Sequence, residues 1–110
     1  MVEITAAEMQ RLIEGLGSIG EQAGGGIIRS VYSRTWVEAQ RQLAEWMREA
    51  GLDVRTDSVG NLFGRMQGES ERTILSGSHF DTVKLGGRYD GALGVLSALA
   101  AVRALRTLGA

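Results

Sequence analysis

Apolar residues recur along this chain with two periods, and each change of period marks an element. Met9, Leu12, Ile13 and Leu16 follow helical spacing. Thr5-Ala6-Ala7-Glu8 ahead of them reads as a capping box, with a hydroxyl at the start and a glutamate three residues on. A glycine-rich loop follows from Gly17 to Gly26. A second capping box, Thr35-Trp36-Val37-Glu38, opens a second helix. Its apolar face is Trp36, Ala39, Leu43, Trp46, Met47 and Ala50, and Gly51 supplies the left-handed stop.

The pattern then shortens. Asp53 to Asp57 and Leu62 to Met66 are strand candidates joined by a turn at Ser58-Val59-Gly60-Asn61. Gln67 to Arg72 is a polar turn. Thr73-Ile74-Leu75-Ser76-Gly77-Ser78 is apolar and small, the pattern of a central strand buried on both faces. A loop from Thr82 to Tyr89 leads to a last helix, Gly91 to Leu108, apolar almost all round until Arg103. Such a helix is expected to be buried. The predicted order is α-α-β-β-β-α, an α/β fold.

Composition narrows the function. The chain has 110 residues, about one small domain, and a formal net charge of −1. A phosphate backbone needs a basic excess, so nucleic acid is excluded as a partner. The longest apolar stretch, Ala92 to Val102, is shorter than the about 20 residues a membrane span needs. The first ten residues lack the basic and apolar regions of a secretory signal, so the expected location is cytoplasmic. Cysteine is absent, so any metal must be held by nitrogen and oxygen ligands. Histidine occurs once, whereas a site of histidine and carboxylate ligands ordinarily draws on several.

That histidine, His79, stands at the carboxyl end of the predicted central strand, where α/β folds bind ligands. Residues two apart on a strand share a face, so Asp81 stands beside it. Two readings follow. His79 ligates a metal while Asp81 accepts a hydrogen bond from its other ring nitrogen. Alternatively, His79 is a buried, satisfied histidine near a turn aspartate. Asp90 also has two readings: a metal-bridging carboxylate, or an N-cap of the last helix, the stronger on spacing alone. Glu69 and Glu71, a conceivable acid–base pair, lie in the polar turn beside Arg72 and read as solvated.

The surrounding strings decide between these readings. Ser76-Gly77-Ser78-His79-Phe80-Asp81-Thr82-Val83 and Gly86-Gly87-Arg88-Tyr89-Asp90-Gly91-Ala92-Leu93-Gly94-Val95 resemble the amidase/hydantoinase/carbamoylase branch of the two-metal aminoacylase and carboxypeptidase superfamily. Tyr32-Ser33, Trp36, Ala39-Gln40, Trp46-Met47, Ala50-Gly51-Leu52 and Val59-Gly60-Asn61-Leu62 agree with it. The Tyr-Ser-x-x-Trp-x-x-Ala-Gln run leans toward allantoate amidohydrolases, with N-carbamoyl-L-amino-acid and ureidoglycolate hydrolases as near relatives. The resemblance implies that His79 ligates one metal, that Asp81 orients His79, and that Asp90 bridges two metals, with a cis peptide to Gly91. It implies two divalent ions, manganese or zinc, and hydrolysis of a carbamoyl or ureido group of a small molecule to ammonia and carbon dioxide. It implies a homodimeric parent enzyme.

The resemblance also shows what is missing. Members of that family are several times longer and add a glutamate pair, further histidine ligands and an inserted dimerisation and substrate-binding domain. Residues 1–110 therefore read as the amino-terminal part of a three-layer αβα two-metal peptidase-like catalytic domain, cut after Leu108-Gly109-Ala110. The competing readings are a stand-alone α/β module binding metal or protein, and one half of a split hydrolase. On the favoured reading the chain alone is inactive and binds metal weakly. It also exposes an apolar face or strand edge and self-associates.

Overall fold

A computed structural model describes residues 3–109; Met1, Val2 and Ala110 lie outside it, and with them the ends of the sequence discussed above. The elements are α1 (Ala6–Gly17), α2 (Arg34–Glu49), β1 (Asp53–Thr56), β2 (Leu62–Arg65) and α3 (Ala92–Thr107).

The first predicted capping box is half formed. Thr5 Oγ1 accepts from the Glu8 amide at 3.1 Å. The Glu8 carboxylate instead pairs with Arg103 of α3 at 3.0 Å, which joins the first turn of α1 to the far end of the chain. The second box is displaced. Ser33, in extended conformation, is the N-cap of α2, and its hydroxyl accepts from the Trp36 amide at 3.2 Å. Thr35 already lies in the first turn, and its hydroxyl donates to the Ile28 carbonyl at 3.0 Å. At the other end, Gly51 takes a φ of 83°. Its amide donates to Arg48 O, and the Leu52 amide donates to Met47 O, the paired bonds of a Schellman stop.

β1 and β2 form an antiparallel hairpin with Asp53 opposite Arg65 and Thr56 opposite Leu62. Asp57 closes its turn by accepting from the amides of Val59 and Asn61 and from the Asn61 side chain. The hairpin packs on α2. The third predicted strand is not formed. Residues 73–78 run without strand pairing, with Ile74 96% and Leu75 81% exposed. The cause is a missing neighbour: a strand exists only by bonding to another, and the two-stranded sheet does not extend to this segment. The order is therefore α-α-β-β-α, an α/β arrangement of three helices and one two-stranded sheet among the described residues.

The core lies where the three helices meet. Leu12 and Leu16 of α1, Ala39 and Leu43 of α2, and Ala92, Leu96 and Ala100 of α3 form one buried cluster. The last helix departs from its prediction. It buries Ala92, Leu96, Leu99 and Ala100 but leaves Leu93 and Leu105 exposed, because no described layer covers its other side. No helix among the described residues is long and apolar enough to cross a membrane.

Candidate metal site

The segment from Phe80 to Gly86 is held from beneath by residues 27–29. Ile27 exchanges two backbone hydrogen bonds with Gly86, at 2.9 and 2.8 Å. The Thr82 amide donates to Arg29 O at 2.9 Å, and the Thr82 hydroxyl accepts from the Arg29 amide at 2.9 Å and donates to Ile27 O at 3.1 Å. Phe80 points inward and stacks on Trp36 of α2, with centroids 5.4 Å apart and an interplanar angle of 13°. With residue 80 turned to the core, its neighbours His79 and Asp81 emerge toward solvent.

His79 and Asp81 meet there. His79 Nδ1 lies 3.2 Å from Asp81 Oδ1 and 3.2 Å from the Asp81 carbonyl oxygen. Both oxygens are acceptors, so in a neutral ring this arrangement suits a proton on Nδ1 and a lone pair on Nε2. Nε2 faces Asp90 Oδ2 at 3.7 Å. In that tautomer the lone pair and the carboxylate are both able to donate to a cation placed between them. Two donors about 2.1 Å from one ion at a tetrahedral angle sit about 3.4 Å apart, close to the spacing here. The side chains are 53%, 43% and 81% exposed for His79, Asp81 and Asp90, so the position opens to solvent.

The fit is to part of a coordination sphere. Among the described residues no group of three or more histidine, cysteine, aspartate or glutamate side chains converges on one point. His79 Nε2 and the Asp90 carboxylate are the two potential donors that face each other, and the Asp81 carboxylate lies against the other ring nitrogen.

Two further features of this corner differ from what spacing alone and the resemblance respectively predict. Asp90 is not the N-cap of α3. Gly91 holds that position with a φ of 69° and no side-chain cap bond, which leaves the Asp90 carboxylate free. The peptide before Gly91 is trans, as are all the described peptide bonds. Gly91 makes the turn through its positive φ instead, a conformation open to glycine and strained for other residues. A Cβ there would collide with the His79 ring and carbonyl, and one at Gly94, a turn later, would press on Ser78 Cβ at 2.8 Å. The start of α3 thus lies directly against Ser78-His79. Glu69 and Glu71 remain exposed in their turn, away from any of these contacts.

Sequence reasoning passed over Arg29, which is only 1% exposed. Its guanidinium donates to the carbonyls of Phe80 (2.7 Å), Leu16 (2.8 Å) and Ile19 (2.9 Å). Burial draws it below the ordinary arginine range, and the charge of Asp81 opposes that shift. The sequence held one signal, a lone charge directly after Gly-Gly-Gly-Ile-Ile.

With this geometry established, relatives identify the surroundings. The chain is 46% identical over 101 residues to an allantoate amidohydrolase of Bacillus subtilis (strain 168), covering 89% of this chain and 24% of that protein. It is 42% identical over 106 residues to an N-carbamoyl-L-amino-acid amidohydrolase of Pseudomonas sp. (strain NS671), covering 94% of this chain and 26% of the other. The crystal structure of a hydantoinase/carbamoylase family amidase from Burkholderia ambifaria superposes with a TM-score of 0.92 at 38% identity, over 99% of this chain and 27% of that one. The chain is homologous to a segment of these amidohydrolases. No family model matches it. It spans about a quarter of the length of the curated relatives it matches.

Proposed function

We propose that this chain supplies one wall of a two-metal amidohydrolase site that cleaves the carbamoyl or ureido C–N bond of a small molecule such as allantoate or an N-carbamoyl-L-amino acid. The observation that carries the reading is the alignment of Asp81, the His79 ring and Asp90, with the free ring nitrogen turned to the second carboxylate. The names of the homologues support the substrate class.

On this reading His79 would be a ligand to one divalent ion, zinc or manganese, and Asp90 would be shared between that ion and a second. Bound ions of this kind polarise a carbonyl and lower the pKa of a coordinated water. Asp81 keeps the Nδ1 proton in place, which holds the ring in the ligating tautomer. Asp90 is free for this role because Gly91 makes the helix start without it. The general base and the remaining ligands come from outside these 110 residues, as part of a three-layer catalytic domain and a homodimeric enzyme. The isolated chain binds metal weakly and does not hydrolyse substrate.

A graft tests the assignment. Replacing the aligned segment of the Bacillus subtilis relative with this chain is expected to give a protein that releases ammonia from allantoate. His79→Ala or Asp90→Ala in the graft is expected to lower that rate at least 1,000-fold, which is about 4 kcal/mol of barrier. A folded, active graft that keeps its rate after His79→Ala overturns the reading.

A further inference from the structure

We propose that Arg29 is the positioning residue of this site: its buried guanidinium, bound to the Phe80 carbonyl, sets how His79 and Asp81 leave the chain and so selects the Nδ1–H tautomer of His79. The inference rests on the proposed site, since His79 is the ligand being oriented.

Arg29 sits at a costly place for a charge. It is 1% exposed, forms no ion pair with a carboxylate among the described residues, and donates its hydrogen bonds to carbonyl oxygens. Burying a cation without a paired anion is expensive, and an apolar side chain of similar volume is often as stable or more so. The contacts show what this charge accomplishes. Two of its acceptors, Leu16 O and Ile19 O, lie at the carboxyl end of α1, the negative end of that helix. The third, Phe80 O, belongs to the peptide that links Phe80 to Asp81, in the residue between the two site side chains. The planar fork of the guanidinium makes these bonds at fixed relative directions, which a lysine cannot reproduce.

The backbone of Arg29 adds two more bonds to Thr82. One residue therefore holds the strip from 80 to 82 through its side chain and its main chain. With the Phe80 carbonyl turned down toward Arg29 and the Phe80 ring on Trp36, the directions of the 79 and 81 side chains follow. Asp81 then reaches Nδ1 rather than solvent. A free histidine at high pH populates both neutral tautomers; this arrangement leaves one.

The test reads the ring of the single histidine in the metal-free 110-residue chain by nitrogen NMR, at a pH where the imidazole is neutral. The native chain is expected to show predominantly Nδ1–H, and the Arg29 Nε–H to exchange with water far more slowly than those of the exposed arginines. Arg29→Lys, which keeps the charge and loses the fork, is expected to shift His79 to a mixture or to Nε2–H while helical circular dichroism is retained. Asp81→Asn combined with Arg29→Lys is expected to add less than the sum of the two single changes, because both act through one contact. An unchanged tautomer in a folded Arg29→Lys chain overturns the proposal. If that variant does not fold, the native chain decides: a fast-exchanging Arg29 Nε–H, or a native Nε2–H ring, overturns it equally. The metal reading fails separately, through a graft that stays active without His79, and leaves the tautomer comparison intact.

Discussion

Gly91 touches both the main chain and the site. Its positive φ starts α3, and its missing side chain makes room for the His79 ring. Gly91→Ala forces a left-handed alanine, costing roughly 1–2 kcal/mol, and also drives a methyl into the imidazole. The expected outcome is a loss of stability of about 2–4 kcal/mol in urea unfolding, or a displaced His79 with lost Asp81 contact in its NMR spectrum. A fully stable variant with an unmoved ring would show that the close approach at Gly91 is unimportant. At this scale the sequence was partly legible. The spacing of His79 and Asp81 on one side of an extended segment was correct, because alternation is a local property of the backbone. The release of Asp90 from capping was not visible, because aspartate before glycine at a helix start has a strong local preference to cap. Arg29 stayed hidden because its acceptors come from residues 16, 19 and 80, which only the fold brings together.

The helices and the hairpin follow from local rules, and the errors in them have local causes. Periodicity located α1, α2 and α3 to within a residue or two at each end. The cap of α2 was misplaced because two hydroxyls compete near its start, and the Ile28 carbonyl draws Thr35 away. Ser33→Ala is therefore expected to destabilise the chain by about 1 kcal/mol through loss of the cap, measured by thermal or urea unfolding. Equal stability of Ser33→Ala and the native chain would return the cap to Thr35. The segment from Thr73 to Ser78 is a different kind of miss. Its composition suits a buried strand, but strand formation is a property of a pair, and the pairing partner is not among the described residues.

The whole molecule is thin. Its extents are 46 × 34 × 19 Å, and the shortest leaves room for about two layers of roughly 10 Å each. Leu93 and Leu105 of α3, together with Ile74 and Leu75, face outward from it. Apolar surface and an unpaired extended segment favour association with another chain. Sedimentation of the 110-residue chain is expected to show concentration-dependent oligomers, shifted toward monomer by Leu75→Glu. A monodisperse native monomer that binds no hydrophobic dye would contradict this. One feature deep in this slab has an optical consequence. Trp36 stacks on Phe80, one residue from both His79 and Asp81, while Trp46 lies across the molecule against Gly15. The indole emission of Trp36 is thus coupled to the corner where an ion would sit, and that of Trp46 to the α1–α2 contact. A chain carrying Trp46→Phe would hold a single tryptophan, whose emission colour and quenching are expected to follow the state of the site without any added label.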